Sequence, residues 1–335
     1  MSTNSPLVTV LMPVYNGARY LGEAIESILN QTYTNFEFLI IDDASTDDSV
    51  EIIKSYRDSR LRFVENSENL GQAETMNRGL RLALSQYIAR MDQDDISLSL
   101  RLEKQVGFME NNPQVGVCGT WMKYIGYRNS VLELATKDDL IKIKLLTTQN
   151  LAHPTVMIRN SVLNEYNLRY NGEYSPAEDY DLWVRMSDYC SFANLPEPLV
   201  KYRLHENQGS KIAEKRQSGS SNRVRRRLIE SMKVHLENND LLIHNKVFCG
   251  DDTDSLTVGE VFSYLMRLHC ANRQSNIFEP VAFDEFIRSN WERFIIDLNL
   301  RIRSKIPRFM FLPRTSFWNA RDRVNLLSSY FHLFI

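Results

Sequence analysis

Three carboxylates fall within four positions in Met91-Asp92-Gln93-Asp94-Asp95-Ile96, directly after Tyr87-Ile88-Ala89-Arg90, which reads as a short strand. Like charges held together at a strand end repel, and a neutralising partner is the natural reason to keep them. Carboxylate oxygens suit Mg²⁺ or Mn²⁺, which favour hard ligands. Mg²⁺ usually sits on one or two carboxylates and completes its shell with water and substrate phosphates. Asp-x-Asp at a strand end is therefore a seat for a metal-bound diphosphate, although so short a pattern also fits a solvated acidic loop. Two more acidic pairs stand elsewhere. Asp42-Asp43 follows the apolar run Phe36 to Ile41, and Glu178-Asp179 opens a helical pattern, where the macrodipole and free N–H groups favour a carboxylate.

The elements that must position these acids alternate. Residues 7–12 form a continuous β-branched apolar run, the signature of a strand buried on both faces. Pro13-Val14-Tyr15-Asn16-Gly17 is turn chemistry at its end. Helical spacing follows over Tyr20 to Leu29, then a strand over Phe36 to Ile41 and a helix over Ser49 to Tyr56. A strand over Leu61 to Glu65 and a helix over Gln72 to Leu84 come next. Then come the strand Tyr87 to Met91, a helix over Arg101 to Met109 and a strand over Val115 to Gly119. Such alternation with short links specifies an α/β fold, a mostly parallel, Rossmann-like sheet with helices on both faces. Ligands of such sheets bind outside the carboxyl ends of the strands. The first, second and fourth strands end in Tyr15-Asn16, Asp42-Asp43 and Asp92 to Asp95, so these ends should share one rim.

After residue 120 the rhythm changes. Trp121 to Val131 reads as one or two strands, Lys137 to Leu146 as a helix, and Leu151 to Arg159 as loop then strand. Pro176 to Met186 is a loop entering a helix, and Leu199 to His205 a short strand. Lys211 to Arg223 is polar, with Gly and three Ser, and reads as a mobile loop marking a domain edge. The expected division is a domain over 1–210, with a nucleotide half at about 6–120 and an acceptor half at about 121–210. The loop 211–223 and a helical C-terminal region over 224–335 complete it. Helical stretches are expected over Arg225 to Asn238, Thr257 to Cys270 and Phe283 to Leu300.

The 335 residues are 43% hydrophobic and 24% charged, with net charge −2, which fits a globular protein and gives no global sign of nucleic-acid binding. Cys118, Cys190, Cys249 and Cys270 show neither metal-ligand spacing nor a disulfide framework, so free thiols in a reducing cytosol are expected. No signal peptide and no run of 18 apolar residues is present, which points to a cytoplasmic chain. Neither Gly-x-Gly-x-x-Gly nor Gly-x-x-x-x-Gly-Lys-Ser/Thr occurs, so a nucleotide would be held by acids, backbone and metal.

Taken in order, the blocks resemble family 2 inverting glycosyltransferases of the GT-A fold, over roughly residues 6–210. The blocks are Pro13-Val14-Tyr15-Asn16; Asp42-Asp43-Ala44-Ser45-Thr46-Asp47; Asn69-Leu70-Gly71 with Asn77-x-Gly79; Asp92-Gln93-Asp94-Asp95; His153-Pro154; Glu178-Asp179-Tyr180-Asp181-Leu182-Trp183-x-Arg185; and Tyr202-Arg203-x-His205. The family often carries Gly where Ala44 stands. A Gln-x-x-Arg-Trp block, found in its processive synthases, is missing, which implies one sugar per encounter.

The resemblance implies that Asp43 reads a uracil and that Asp42 could serve beside it. It implies Pro13, Tyr15, Asn16, Asn69, Gly71 and Asn77 on the nucleotide side, Asp94 as metal ligand, and Asp92 on the ribose or the metal's waters. Asp179 matches the general base that takes the acceptor proton, with Glu178 its rival. His205 could approach metal or diphosphate. Arg203 and Lys211 could hold phosphates, with His153 and Trp183 as further phosphate or acceptor contacts. Asp47 reads as a capping or turn residue, and Asp95 could cap the following helix.

From Arg301 onward seven cations face one acid, Asp322, among Phe309, Phe311, Phe317 and Trp318. Such mixtures bind anionic membrane surfaces. The family's frequent work on polyprenyl-diphosphate carriers makes a membrane-held acceptor an expectation of the resemblance. The competing readings are an Asp-nucleophile phosphotransferase, a sugar-nucleotidyl transferase and a non-catalytic glycan-binding scaffold. The first wants its motif on the first strand, and the second wants a Gly-rich basic loop there.

Overall fold

A computed structural model describes residues 5–305 except 207, 209–213, 238 and 251–254. The chain divides into two compact units, Met1–Val224 and Arg225–Ile335.

The first unit is built on one mixed sheet. Four strands, β1 (Val8–Val14), β2 (Phe36–Asp42), β3 (Leu61–Glu65) and β4 (Tyr87–Arg90), lie in the order β3-β2-β1-β4 and are all parallel. Helices α1 (Ala18–Leu29), α2 (Ser49–Ser55) and α3 (Gln72–Leu82) connect them. Val8, Val10, Met12 and Phe38 are fully buried in one core with Leu21, Ile25 and Ile28 of α1. Gly79 lets α3 lie close on β1, since a Cβ there would stand 2.4 Å from Leu11. Parallel strands place the ends of β1, β2 and β4 along one rim, as the sequence predicts.

Beyond β4 the sheet continues as β8 (Met157–Arg159), β6 (Val115–Gly126), β9 (Ser191–Leu204) and β5 (Ile96–Ser97), with β7 (Val131–Leu132) on β6. Here β8 runs antiparallel to β4 and β6, while β6 and β9 are parallel. The sheet expected to be mostly parallel is thus interrupted by the antiparallel β8, with a second parallel pair, β6 and β9, beyond it. Helices α4 (Arg101–Asn111), α5 (Asp138–Lys144), α6 (Asn160–Glu165) and α7 (Glu178–Met186) complete this part.

Strand β9 is longer than its predicted stretch, Leu199 to His205. It starts at Ser191 and passes through Pro196 and Pro198, which remove ladder donors and hide a strand from sequence reading. Register shifts around Trp121 absorb them. The expected mobile loop is also different. Residues 214–223 belong to α8 (Glu214–Ser231), because Glu, Lys, Arg and Gln favour helix enough to carry Gly219 and the serines. Ser220 Oγ donates to the Ser175 carbonyl at 3.1 Å, and Val224 is buried.

The second unit contains the rest of α8 and α9 (Asp240–Phe248), α10 (Val258–Ser275) and α11 (Pro280–Lys305). Helix α9 has no counterpart in the sequence reading. Thr257 and Glu260 form a capping box at the start of α10. Val261, Tyr264, Leu265, Leu268, Phe283 and Ile287 are buried in its core. No helix among the described residues is long and apolar enough to cross a membrane. The basic aromatic tail beyond residue 305, and Lys211, lie outside the described residues.

Candidate active site

The rim of β1, β2 and β4 is tied together by its own loops. Asn16 N–H donates to Ser45 Oγ at 2.9 Å, Gly17 N–H to Ser49 Oγ at 2.9 Å, and Ala18 N–H to Asp47 Oδ2 at 3.0 Å. Asp47 therefore takes the free N–H of Ala18 at the start of α1 from outside the helix, and Ser49 that of its N-cap Gly17. Asp47 is a capping residue, as expected, and its hydrogen bonds hold its carboxyl below the usual range despite partial burial. Ala44 sits at φ +60, a backbone region that favours glycine.

Asp43 is 4% exposed and uses both oxygens. Its Oδ1 accepts from Asn66 Nδ2 at 2.6 Å and from Leu70 N–H at 2.9 Å, and its Oδ2 accepts from Gly71 N–H at 2.9 Å. Four lone pairs and three donors leave one acceptor position, on Oδ2. Asp42 accepts from Ser45 N–H at 2.9 Å through Oδ2, and its buried Oδ1 meets no donor among the described residues. Gly71 stands at φ +80 before α3. Tyr15 and Asn69 are exposed, while Pro13 is half-buried on β1.

Asp92, Asp94 and Asp95 each place a carboxylate oxygen within 4.8 Å of the others. Burial and the Asp92 charge raise the Asp94 carboxyl. Burial, Asp92 and Asp94 push Asp95 well above the carboxylate range. The repulsion expected from the sequence is therefore present, and Asp95 Oδ2 is buried without a donor among the described residues. Such a set fits a divalent cation that prefers oxygen. His205 Nε2 lies 2.8 Å from Asp94 Oδ2, and its ring packs on Tyr20 at 5.0 Å. Gln93, a residue that the motif treats as a spacer, clamps Tyr15. It accepts from Tyr15 N–H at 2.8 Å and donates to its carbonyl at 3.0 Å. A Cβ on Gly17 would clash with this amide at 2.5 Å.

At the head of α7, Asp179 is 7% and Glu178 4% exposed. Burial first, and then the Glu178 charge, push the Asp179 carboxyl up to about 7. Tyr180 N–H donates to its Oδ1 at 2.7 Å. Gln149, with its amide nitrogen turned toward the carboxylate, donates at 2.6 and 3.0 Å. Burial also raises Glu178, whose Oε2 meets no donor among the described residues. Asp181 is instead paired with Arg185 at 2.6 Å.

Several expected contacts have other partners. Arg203, foreseen on phosphates, donates from Nε to the Asp94 carbonyl at 2.9 Å and from Nη2 to Glu23 at 2.9 Å, and stacks on Tyr20 at 4.4 Å. Its side chain braces the acidic loop. Asp95 does not cap α4: its Oδ1 accepts from Arg203 N–H at 2.8 Å. Asn77, foreseen on the nucleotide, uses both ends of its amide on the Tyr170 backbone at 2.9 Å each. His153 is buried, bonded to Tyr170 Oη at 2.9 Å, and burial keeps its ring neutral by lowering it well below the usual imidazole range. Trp183 is fully buried beside it, so both belong to the core. Sequence reasoning missed Arg90, Gln93, Asn66, Gln149 and Tyr170. Only Arg90 left a signal, a cation at the end of an otherwise uncharged buried strand.

Comparison with known proteins agrees with this architecture. Residues 9–166 match the family described as Glycosyl transferase family 2. An uncharacterized glycosyltransferase of Haemophilus influenzae is 35% identical over 332 residues, covering 91% of this chain and 98% of its own. The O-antigen biosynthesis glycosyltransferase WbnJ of Escherichia coli is 35% identical over 62% of this chain and 83% of its own. The structure of Staphylococcus aureus TarS 1–349 with UDP-GlcNAc aligns over 85% of this chain and 88% of that one, with TM-score 0.59 and 18% identity, a likeness of fold. With an α/β rim carrying an acidic cluster and a relative matched along nearly its whole length, the chain belongs to the family 2 glycosyltransferases and has the GT-A fold.

Proposed function

We propose that the protein is a metal-dependent, inverting, non-processive glycosyltransferase. It moves one sugar from a nucleotide sugar, most simply a UDP-sugar, to a hydroxyl of a glycan or polyprenyl-diphosphate-linked acceptor in surface polysaccharide synthesis. One observation carries this reading: the same compact unit holds a metal-fitting acidic cluster and a separate buried carboxyl raised to about 7. The name of the WbnJ relative favours the polysaccharide setting, and the TarS ligand favours a UDP-sugar.

Asp43 keeps one acceptor position for the imide N–H of a uracil. Asp94, with Asp92 and Asp95 beside it, would hold Mn²⁺ or Mg²⁺, with His205 poised next to Asp94. When bound, that cation supplies Lewis-acid neutralisation of the departing diphosphate. Asp179 accepts the acceptor hydroxyl proton as the acceptor oxygen bonds the anomeric carbon. The bond from that carbon to the diphosphate oxygen breaks, and its electron pair leaves with the nucleotide. A base raised toward neutrality suits this transfer. Glu178 beside it maintains that shift. The tail 301–335 is proposed as a peripheral contact with the inner face of the membrane.

Calorimetric titration of UDP with Mn²⁺ and with EDTA tests the donor site. Binding should require metal and be lost in Asp94→Ala. A wild-type protein that ignores UDP in the presence of Mn²⁺ would remove the UDP-sugar assignment, and failure with GDP and dTDP as well would favour a glycan-binding scaffold.

A further inference from the structure

We propose that Gln149 is a positioning residue for the transfer: its side-chain amide fixes the orientation of the Asp179 carboxylate and selects Oδ2 as the oxygen that takes the acceptor proton. This rests on the assignment of Asp179 as the base above.

Gln149 lies half-buried between α5 and the short turn His153–Thr155. Its amide nitrogen donates to Asp179 Oδ2 at 2.6 Å and reaches Oδ1 at 3.0 Å. The opposite orientation would set the amide carbonyl against the carboxylate, acceptor on acceptor. Tyr180 N–H already donates to Oδ1 at 2.7 Å. A carboxylate has about four acceptor positions, shared between its two oxygens. Tyr180 and the longer Gln149 contact fill Oδ1, and the shorter Gln149 contact leaves one position open on Oδ2. Among the described residues, Gln149 is the side chain that hydrogen-bonds Asp179.

A residue that orients another must itself be held. Asn150, the next residue, is buried. Its Oδ1 accepts from Ala135 N–H at 3.0 Å, and its carbonyl accepts from Asn194 Nδ2 at 2.9 Å. Asn194, buried on β9, also donates to the Ala135 carbonyl at 2.7 Å. Gly119 on β6 makes room for it, since a Cβ there would stand 2.1 Å from Asn194 Oδ1. Upstream, Tyr180 Oη donates to the Leu145 carbonyl. The segment that carries Gln149 is therefore tied to the sheet through Asn150 and to α7 through Leu145. An amide on so short a tether meets Asp179 with little further loss of conformational freedom.

The neutrality of this donor matters. A hydrogen bond to the ionised carboxylate favours that form, so the amide opposes burial and the Glu178 charge, which disfavour it. A cation in the same place would hold the carboxylate ionised more firmly and make it a weaker base near neutral pH. The charged or titratable groups acting on Asp179 are Glu178 on its own helix, Arg90 on β4 and Tyr170 in the segment before α7. Gln149 adds orientation to this set without adding charge.

The test is nuclear magnetic resonance of the full chain, with turnover measured beside it. In the wild type, a Gln149 side-chain amide proton should shift with the same midpoint as the Asp179 carboxyl carbon, and Asp179→Asn should abolish that step. Gln149→Met keeps the length of the side chain and removes the donor. In it the Asp179 midpoint should rise by about one unit, a tenfold change in proton affinity. The acidic limb of kcat/KM should move up with it, while UDP binding in the presence of Mn²⁺ stays at the wild-type level. A role in packing alone would lower Tm and leave the midpoint and the limb in place. An amide proton indifferent to Asp179, or a midpoint unchanged or lowered in folded Gln149→Met, overturns the proposal. If Gln149→Met does not fold, the comparison of wild type with Asp179→Asn decides alone. Undiminished transfer in Asp179→Asn is a separate outcome: it removes the base assignment and leaves the contact between Gln149 and Asp179 standing.

Discussion

The acidic loop and the head of α7 are both runs of adjacent carboxylates, yet they solve the problem of charge differently. In the loop, Asp92 pairs with Arg90, Asp94 with His205, and Asp95 with the Arg203 backbone, while the Asp92 and Asp94 side chains remain 26% and 18% exposed. Their oxygens converge on one point, where a cation can complete the neutralisation. At the head of α7, Glu178 and Asp179 are buried, Asp179 receives neutral donors from Tyr180 N–H and Gln149, and burial with the Glu178 charge pushes its carboxyl up to about 7. The difference teaches that raised carboxyls converging on one point suit a cation, whereas a buried carboxyl raised by burial and one neighbour becomes a proton acceptor near neutral pH.

The sharpest way to break this contrast is Asp179→Asn. Transfer or donor hydrolysis should fall by about 10²–10⁴-fold, while UDP binding measured by calorimetry stays unchanged. Equal loss of both would merge the two regions into one site of binding.

Stability gives the next largest effect. The Asp179 carboxyl is raised in the folded protein above its unfolded value near 4. Between about pH 4 and about 7 the folded state keeps a proton that the unfolded state has released, so this group lowers stability as pH rises through that window. Asp179→Asn should therefore stabilise the protein by on the order of 4 kcal/mol at pH 8 and by about zero at pH 4, read from urea midpoints. A stability gain independent of pH would show that the carboxylate is not burdened by burial. The acidic loop should respond to metal instead. Mn²⁺ at about 100 times its Kd should stabilise the wild type by about 2.7 kcal/mol. The thermal shift should vanish in Asp94→Ala and persist in Asp179→Asn. The smallest effect concerns the clamp on Tyr15. Gln93→Ala should cost about 1 kcal/mol, and it should weaken UDP binding without changing the pH dependence of turnover. A shifted pH profile would mean that the rim and the base are not separable.

Legibility followed the range of the interactions. Strands β1 to β4 and their helices were readable because a strand buried on both faces is written as a local apolar run. Strand β9 was half hidden by Pro196 and Pro198, and α8 was hidden by serines and Gly219, since in both cases partners distant in sequence overrode local preference. In the site, the acids were visible because clustered charge is rare enough to notice. The roles of Asn77, His153, Trp183 and Arg203 were not. A side chain that can serve a ligand can equally serve the backbone of Tyr170 or Asp94, and only proximity selects between them.

By itself the sequence determined the parallel half of the sheet, the rim on which Asp43 and Asp92 to Asp95 must meet, and the helical start at Glu178. Periodicity and chain direction suffice for those. Only the tertiary structure decided that Asp92, Asp94 and Asp95 converge on one point, that Asp179 is buried beside Glu178, and that Arg90 lies buried against Asp92. Burial and the spacing of charged groups are set by packing between residues distant in sequence, and they fix the dielectric and the fields on which the charge state of each carboxyl depends.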